Sequence, residues 1–285
     1  MVPFSSDSNP SDAIAGRGRR ASRAVVVGGS RGVGLSTALL LGQRGWDVTI
    51  AARDAGRLES VCEKARANGI RLHGVVADVT SESSVQALFR TMALGGPLDL
   101  CVNSAGENLS RRLVRTTKTG SVETHALTDW ERTINLCLTG VFLCGREAAA
   151  AMLTQRSPGV IVNISSAVYE GAFGQSAYAA AKAAVVSLTR SWALELAEHG
   201  VRVVAVAPGV IDGQALRDKC EKHSSHALYM EILRDHVPLR RWATELEIAE
   251  AVFFAATHAY VTGTVLEIHG GGVPARVHTT NKGLR

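Results

Sequence analysis

The sequence predicts a doubly wound α/β fold: one domain built on a parallel seven-stranded sheet. Three observations carry that expectation. Seven short aliphatic runs alternate with helix-length stretches. Most are continuously apolar, as strands covered on both faces must be. The first run ends in a glycine cluster that opens directly into a helical stretch. Composition agrees, since 46% apolar and 20% charged residues over 285 positions suit a soluble globular chain and exclude wholesale disorder.

Residues 1–20 are rich in Ser, Asp, Asn, Pro, Gly and Arg and carry too little apolar surface to offset the entropy of ordering, so they are expected to form a flexible tail. The domain is expected over 21–275. Its first strand is Val25-Val26-Val27, followed by the Gly28-Gly29 turn and a helix from 33 to about 44. Further strands are expected at 48–52, 72–77, 100–103, 159–164, 201–207 and 265–269. Residues 107–127 read as a long polar loop carrying Arg111, Arg112, Arg115 and Lys118, a candidate surface for an acidic substrate or carrier. Thr128-Asp129-Trp130-Glu131 has the form of a capping box and predicts a helix from there through Met152. Residues 276–285 are expected to fray.

Several classes are disfavoured by the same reading. No run approaches the roughly 18 uninterrupted apolar residues of a membrane span, and no apolar leader precedes Arg17, so neither a membrane nor an export route is expected and a cytoplasmic address is the default. Five cysteines (Cys62, Cys101, Cys137, Cys144, Cys220) form no C-x-x-C pair and read mostly as small core hydrophobes. His223 and His226 lack a third ligand nearby, so no metal is expected. The net charge of +5 is modest, and Arg17, Arg19, Arg20 and Arg23 read as a solvated basic tail; no nucleic-acid partner is expected.

The turn after the first strand, Gly28-Gly29-Ser30-Arg31-Gly32-Val33-Gly34, sits where backbone N–H groups and a helix dipole meet a dinucleotide pyrophosphate. Gly28, Ser30, Arg31, Gly32, Val33 and Gly34 are therefore candidate cofactor contacts. The second strand ends Ala51-Ala52-Arg53, with no carboxylate at its tip to accept ribose hydroxyls. Arg31 and Arg53 could instead clamp a 2′-phosphate, which favours NADP(H) over NAD(H); Asp54, one residue on, points the other way.

Tyr178-Ala179-Ala180-Ala181-Lys182 places a phenol and an ammonium on one helix face, where the cation favours phenolate and the phenol can exchange a proton with a carbonyl or alcohol oxygen. Upstream, Ser165-Ser166 directly follows an expected strand.

The glycine loop, Asn103-Ser104-Ala105-Gly106, Asn135, the serine pair, Tyr-x-x-x-Lys and Pro208-Gly209 occur in the order found in the short-chain dehydrogenase/reductase family. The chain resembles that family's single-domain, Rossmann-fold branch, which includes 3-oxoacyl carrier-protein reductases. The resemblance implies that Tyr178 is the general acid or base, that Lys182 holds the nicotinamide ribose, and that Asn135 anchors a water linking Lys182 to solvent. A serine would bind the substrate oxygen. Alignment of the strand end selects Ser166, whereas thirteen-residue spacing to the tyrosine selects Ser165. Asp78 and Val79 resemble the adenine-side contact, Asn103, Ala105 and Gly106 the adenosine-ribose wall, and Pro208, Gly209 and Ile211 the nicotinamide turn. Residues 212–238 would form a substrate lid, with Leu216, Leu228, Tyr229, Ile232 and Leu233 facing a pocket and Tyr169 and Glu170 adding walls.

The sequence departs from the family's pattern at Val27, Ser104 and His269, and at Gly213, where a threonine is expected. The implied activity is interconversion of a ketone and a secondary alcohol, in the free state or bound to a carrier protein, by a homo-oligomer (tetramer or dimer). NAD-dependent alcohol oxidation and a non-catalytic dinucleotide-binding regulator are the alternatives.

Overall fold

A computed structural model describes residues 20–117, 119–222 and 224–272. The two expected tails, Lys118 and the side chains of the His223/His226 pair fall outside what it describes. All seven expected strands form: β1 (Arg23–Val27), β2 (Asp47–Ala52), β3 (Leu72–Val76), β4 (Leu100–Asn103), β7 (Val160–Ile164), β8 (Arg202–Pro208) and β9 (Val265–Ile268). They pair in parallel in the order β3-β2-β1-β4-β7-β8-β9. The remaining two, β5 (Val114–Thr116) and β6 (Val122–Thr124), make a separate antiparallel hairpin.

Successive side chains of β1 enter opposite layers, which is why its run is apolar at every position. Ala24 and Val26 pack with Ala38 and Leu41 of α1 (Gly32–Gln43) and with Ile248 and Val252 of α9 (Glu245–Thr257). Val25 and Val27 pack with Val85 and Leu88 of α3 (Glu82–Leu94). The helix α2 (Ala55–Ala67) lies against β2 and β3. The strand order reverses between β1 and β4, and a doubly wound sheet opens a crevice at the carboxyl ends of the strands at that point.

The helix expected from Thr128 starts earlier. α4 (Leu127–Ile134) has Ala126 at its N-cap with no side-chain hydrogen bond, so Thr128 and Glu131 sit inside the first turns and the expected capping box is not made. The capping box that does form is at α9, where Thr244 and Glu247 satisfy each other's backbone N–H. α4 passes through a π-turn, Asn135–Thr139, into α5 (Gly140–Thr154). This continuous helix, Leu127–Thr154, is long and apolar enough to cross a membrane by length and composition. Its Leu143, Cys144, Ala148 and Met152 nevertheless pack into the core under the sheet, and Arg146 and Glu147 form an ion pair midway along it.

The 107–127 segment is not a plain loop. Arg115 and Glu123 pair directly across the β5–β6 hairpin and form a salt bridge, and His125 N–H closes onto Leu113 carbonyl. Arg20 grips Asp99 bidentately, and the Arg23 guanidinium donates to the Met92 and Gly96 carbonyls, so these two arginines hold the fold together.

Candidate active site

The crevice begins at the glycine loop. Gly28 adopts φ +81 and Gly32 φ +58, both left-handed, and a Cβ at Gly28 would strike the Ala105 backbone N at 2.6 Å. A Cβ at Gly34 would collide with the Gly28 carbonyl oxygen, so Gly34 sets the close packing of α1 on the loop. No side chain caps α1: its N-cap, Arg31, makes no such bond and the first turn holds no acidic residue. A Cβ on Gly32 would meet nothing nearer than Glu245 Oε1 at 3.9 Å, so the amides at the start of α1 face open space that a pyrophosphate fits.

Ser30, Arg31, Val33, Ala52 and Arg53 continue that wall. Asp54, the residue at odds with a 2′-phosphate, also lines the crevice, where it caps α2 by accepting from Arg57 N–H at 2.9 Å. Val79, Ala105 and Gly106 line the crevice as expected. Two expected contacts do not. Asn103 is buried and donates to Asn163 Oδ1, which ties β4 to β7. Asp78 is turned to Thr80, whose N–H and hydroxyl it accepts; burial opposes its charge, but these bonds and the Arg53 charge hold its carboxyl below the usual range.

Across the sheet, β7 delivers the serines and α6 (Ser176–Leu196) the phenol and amine. Adjacent residues of an extended chain point apart, and this separates the serines. Ser165 is buried and donates to the Lys182 carbonyl at 2.9 Å, which seats α6 on β7. Ser166 faces the crevice and hydrogen-bonds the Tyr178 phenol. Lys182 is 3% exposed; its Nζ donates to the Ile164 carbonyl at 2.7 Å and lies 5.5 Å from the Tyr178 ring centroid. The geometry thus unites Ser166, Tyr178 and Lys182 and leaves Ser165 beneath them.

The electrostatics depart from the sequence expectation. Burial pushes the Tyr178 phenol well above its usual range, with the nearby Cys137 thiol adding to the shift and the Ser166 hydrogen bond opposing it. Burial lowers the Lys182 ammonium, with Cys137 opposing. Desolvation thus moves the phenol in the direction opposite to the acidification expected from the neighbouring amine.

Asn135 does not reach this cluster. Its side chain is exposed, outside the crevice, and its carbonyl accepts from Gly140 N–H in the π-turn. Cys137, two residues on, is fully buried; it donates to the Glu107 carbonyl at 3.5 Å, and its sulfur and Lys182 Nζ both lie 3.6 Å from a Cβ built on Gly106. Within the π-turn it is the thiol, and not the Asn135 amide, that occupies the inward position.

Pro208, Gly209 and Ile211 form the far wall. Over it stand the lid helices α7 (Gln214–Lys222) and α8 (Ser224–Asp235). Leu216, Tyr229 and Leu233 of the five expected residues line the crevice, joined by Met230, whereas Leu228 is exposed and Ile232 lies off it. Tyr169 is not a wall: its hydroxyl donates to Glu267 Oε1 at 2.6 Å, raising the phenol to about 12, and Glu267 also meets His269 Nε2 at 3.1 Å. The hairpin contributes Arg115, Thr116, Glu123, Thr124 and His125 to the opposite rim, and Arg112 stacks on Phe173 at 4.7 Å.

Comparison with known proteins agrees with this geometry. The family model described as short chain dehydrogenase matches residues 22–224. The 3-oxoacyl carrier-protein reductase FabG of Staphylococcus aureus is 36% identical over 256 residues, covering 87% of this chain and 96% of that protein. A subunit of a hydroxy(phenyl)methylsuccinyl-CoA dehydrogenase from Thauera aromatica is 32% identical over 251 residues, covering 87% and 95%. The crystal structure of an actinorhodin polyketide ketoreductase variant with NADPH superposes with a TM-score of 0.79 at 30% identity, covering 88% of this chain and 97% of that one.

Proposed function

The chain belongs to the short-chain dehydrogenase family and is a ketoreductase-type oxidoreductase of it, and within that family we propose that it uses NADPH to reduce a ketone on an acyl thioester or polyketide-like substrate. The observation that carries the reading is the convergence of Ser166, Tyr178 and Lys182 beside an uncapped glycine loop. When bound along the crevice wall, the dinucleotide would supply the hydride for the carbonyl carbon. Ser166 holds the carbonyl oxygen as charge develops on it. Tyr178, whose hydroxyl stands beside Ser166, would give its proton to that oxygen in reduction and take it back in oxidation. Lys182, fixed by the Ile164 carbonyl with its Nζ 5.5 Å from the Tyr178 ring centroid, would hold the nicotinamide ribose.

The assignment of NADP(H) rests on Arg31 and Arg53 at the crevice wall. Carrier-bound substrates belong to the same reading through the 3-oxoacyl carrier-protein reductases the chain is similar to. The test is NADPH consumption with a β-ketoacyl thioester, repeated with NADH. Turnover with kcat/KM favouring NADPH by roughly tenfold or more is expected, as the loss of one charge-assisted clamp is worth ~1.5–3 kcal/mol. Preference for NADH would remove the arginine argument.

A further inference from the structure

Positions 213 and 245 compete for one small volume. Gly213 is buried in the turn after β8, and a Cβ built on it would lie 2.5 Å from Glu245 Oε1. The same oxygen is the nearest group to a Cβ built on Gly32, the first residue of α1. The Glu245 carboxyl therefore bridges the space between the glycine loop and the turn that follows Pro208-Gly209, and it lines the crevice.

Its neighbour on the same helix turn shows that this is not ordinary capping. Glu247 closes the capping box with Thr244 and takes both arms of Arg241 at 2.6 and 2.8 Å. Glu245 makes no hydrogen bond among the described residues. The charged groups acting on it are Arg217 and Asp212, which pair with each other at 2.9 Å. Burial raises the Glu245 carboxyl above the usual range; Arg217 opposes that shift and Asp212 adds to it.

We propose that Glu245 is a dinucleotide-contacting residue that fills the volume left by Gly213, and that the dinucleotide binds more tightly when Glu245 is protonated. The proposal rests on the NADP(H) reading above. A carboxylate beside the uncapped start of α1 would stand against the diphosphate that those amides attract, so ionised Glu245 and ligand repel. The protonated carboxyl removes that repulsion and offers an O–H to a ligand oxygen. Linkage then requires the protein to take up a proton as the dinucleotide binds, and affinity falls as pH rises through the carboxyl's titration.

The test is NADPH binding by fluorescence titration from about pH 5.5 to about 8.5, with calorimetry in two buffers of different ionisation enthalpy. The 2′-phosphate titrates equally in every variant, so differences between variants belong to the protein. The wild type is expected to lose roughly tenfold in affinity beyond what Glu245→Gln loses over that range, equivalent to about one pKa unit, and to take up more protons than Glu245→Gln does. Gly213→Ala, whose added methyl displaces the carboxyl, is expected to follow the Glu245→Gln profile while melting as a folded protein. Matching pH profiles and proton uptake in the wild type and Glu245→Gln would overturn the proposal, as would a wild-type profile in Gly213→Ala. Failure of the wild type to bind NADPH at any pH would instead overturn the dinucleotide reading beneath it.

Discussion

The floor and the rim of the crevice are built by opposite means. The floor, where Ser166, Tyr178 and Lys182 meet, hangs from β7 and α6, with Ser165 bonded to the Lys182 backbone and Lys182 bonded to Ile164. Asn163 donates to Thr189 within the same buried seam. The rim consists of the lid helices and the β5–β6 hairpin, whose strands are exposed at every position and joined by surface pairs such as Arg115 with Glu123. A buried floor fixes atoms for chemistry, because each polar group there must be paired or incur a desolvation cost. An exposed rim is free to vary, and selection among substrates is expected to reside there.

The sharpest way to break that contrast lies within the floor. Ser166→Ala is expected to lower kcat by roughly a hundredfold with NADPH binding intact, since it removes one oxyanion donor. Ser165→Ala should instead cost about 1 kcal/mol of stability by chemical denaturation and leave kcat within several-fold. A reversal of the two effects would reassign the catalytic serine. At the adenosine end, Arg53→Ala is expected to weaken NADPH roughly tenfold while sparing NADH, read from kcat/KM for the two cofactors. The smallest effect is expected at the rim: Arg115→Ala removes an exposed pair worth ~0.2–1 kcal/mol and should leave turnover of a small ketone nearly unchanged. A fall confined to carrier-bound substrate would sharpen the comparison by making the hairpin a carrier-reading surface; a fall for small ketones too would dissolve it.

What could be read from the sequence follows the same division. Four of the seven strands, β1, β4, β7 and β8, were legible because both their faces are buried, so their runs are apolar except at Arg23, Asn103, Asn163 and Arg202. Tyr178 and Lys182 were legible because a regular helix carries i and i+4 to one side. The hairpin was not, since its strands span three residues each and Val114 and Val122 are 50% and 65% exposed. Cys137 was read only as a small core hydrophobe, while the resemblance directed attention to Asn135, two residues earlier in the π-turn. Asn103 was read as a ligand wall though it is a buried strut, because an amide at a strand end serves either purpose. Glu245 carried one usable signal, the Thr244-x-x-Glu247 capping box, which fixes where α9 begins and hence which side its first residue faces.

The role of the Tyr178 hydroxyl is tested most directly by Tyr178→Phe, which keeps the ring and removes only the acid. NADPH affinity is expected to stay within about threefold of wild type while ketone reduction falls by roughly a thousandfold or more. Reduction by Tyr178→Phe at a wild-type rate would contradict the assignment of that hydroxyl as the proton donor.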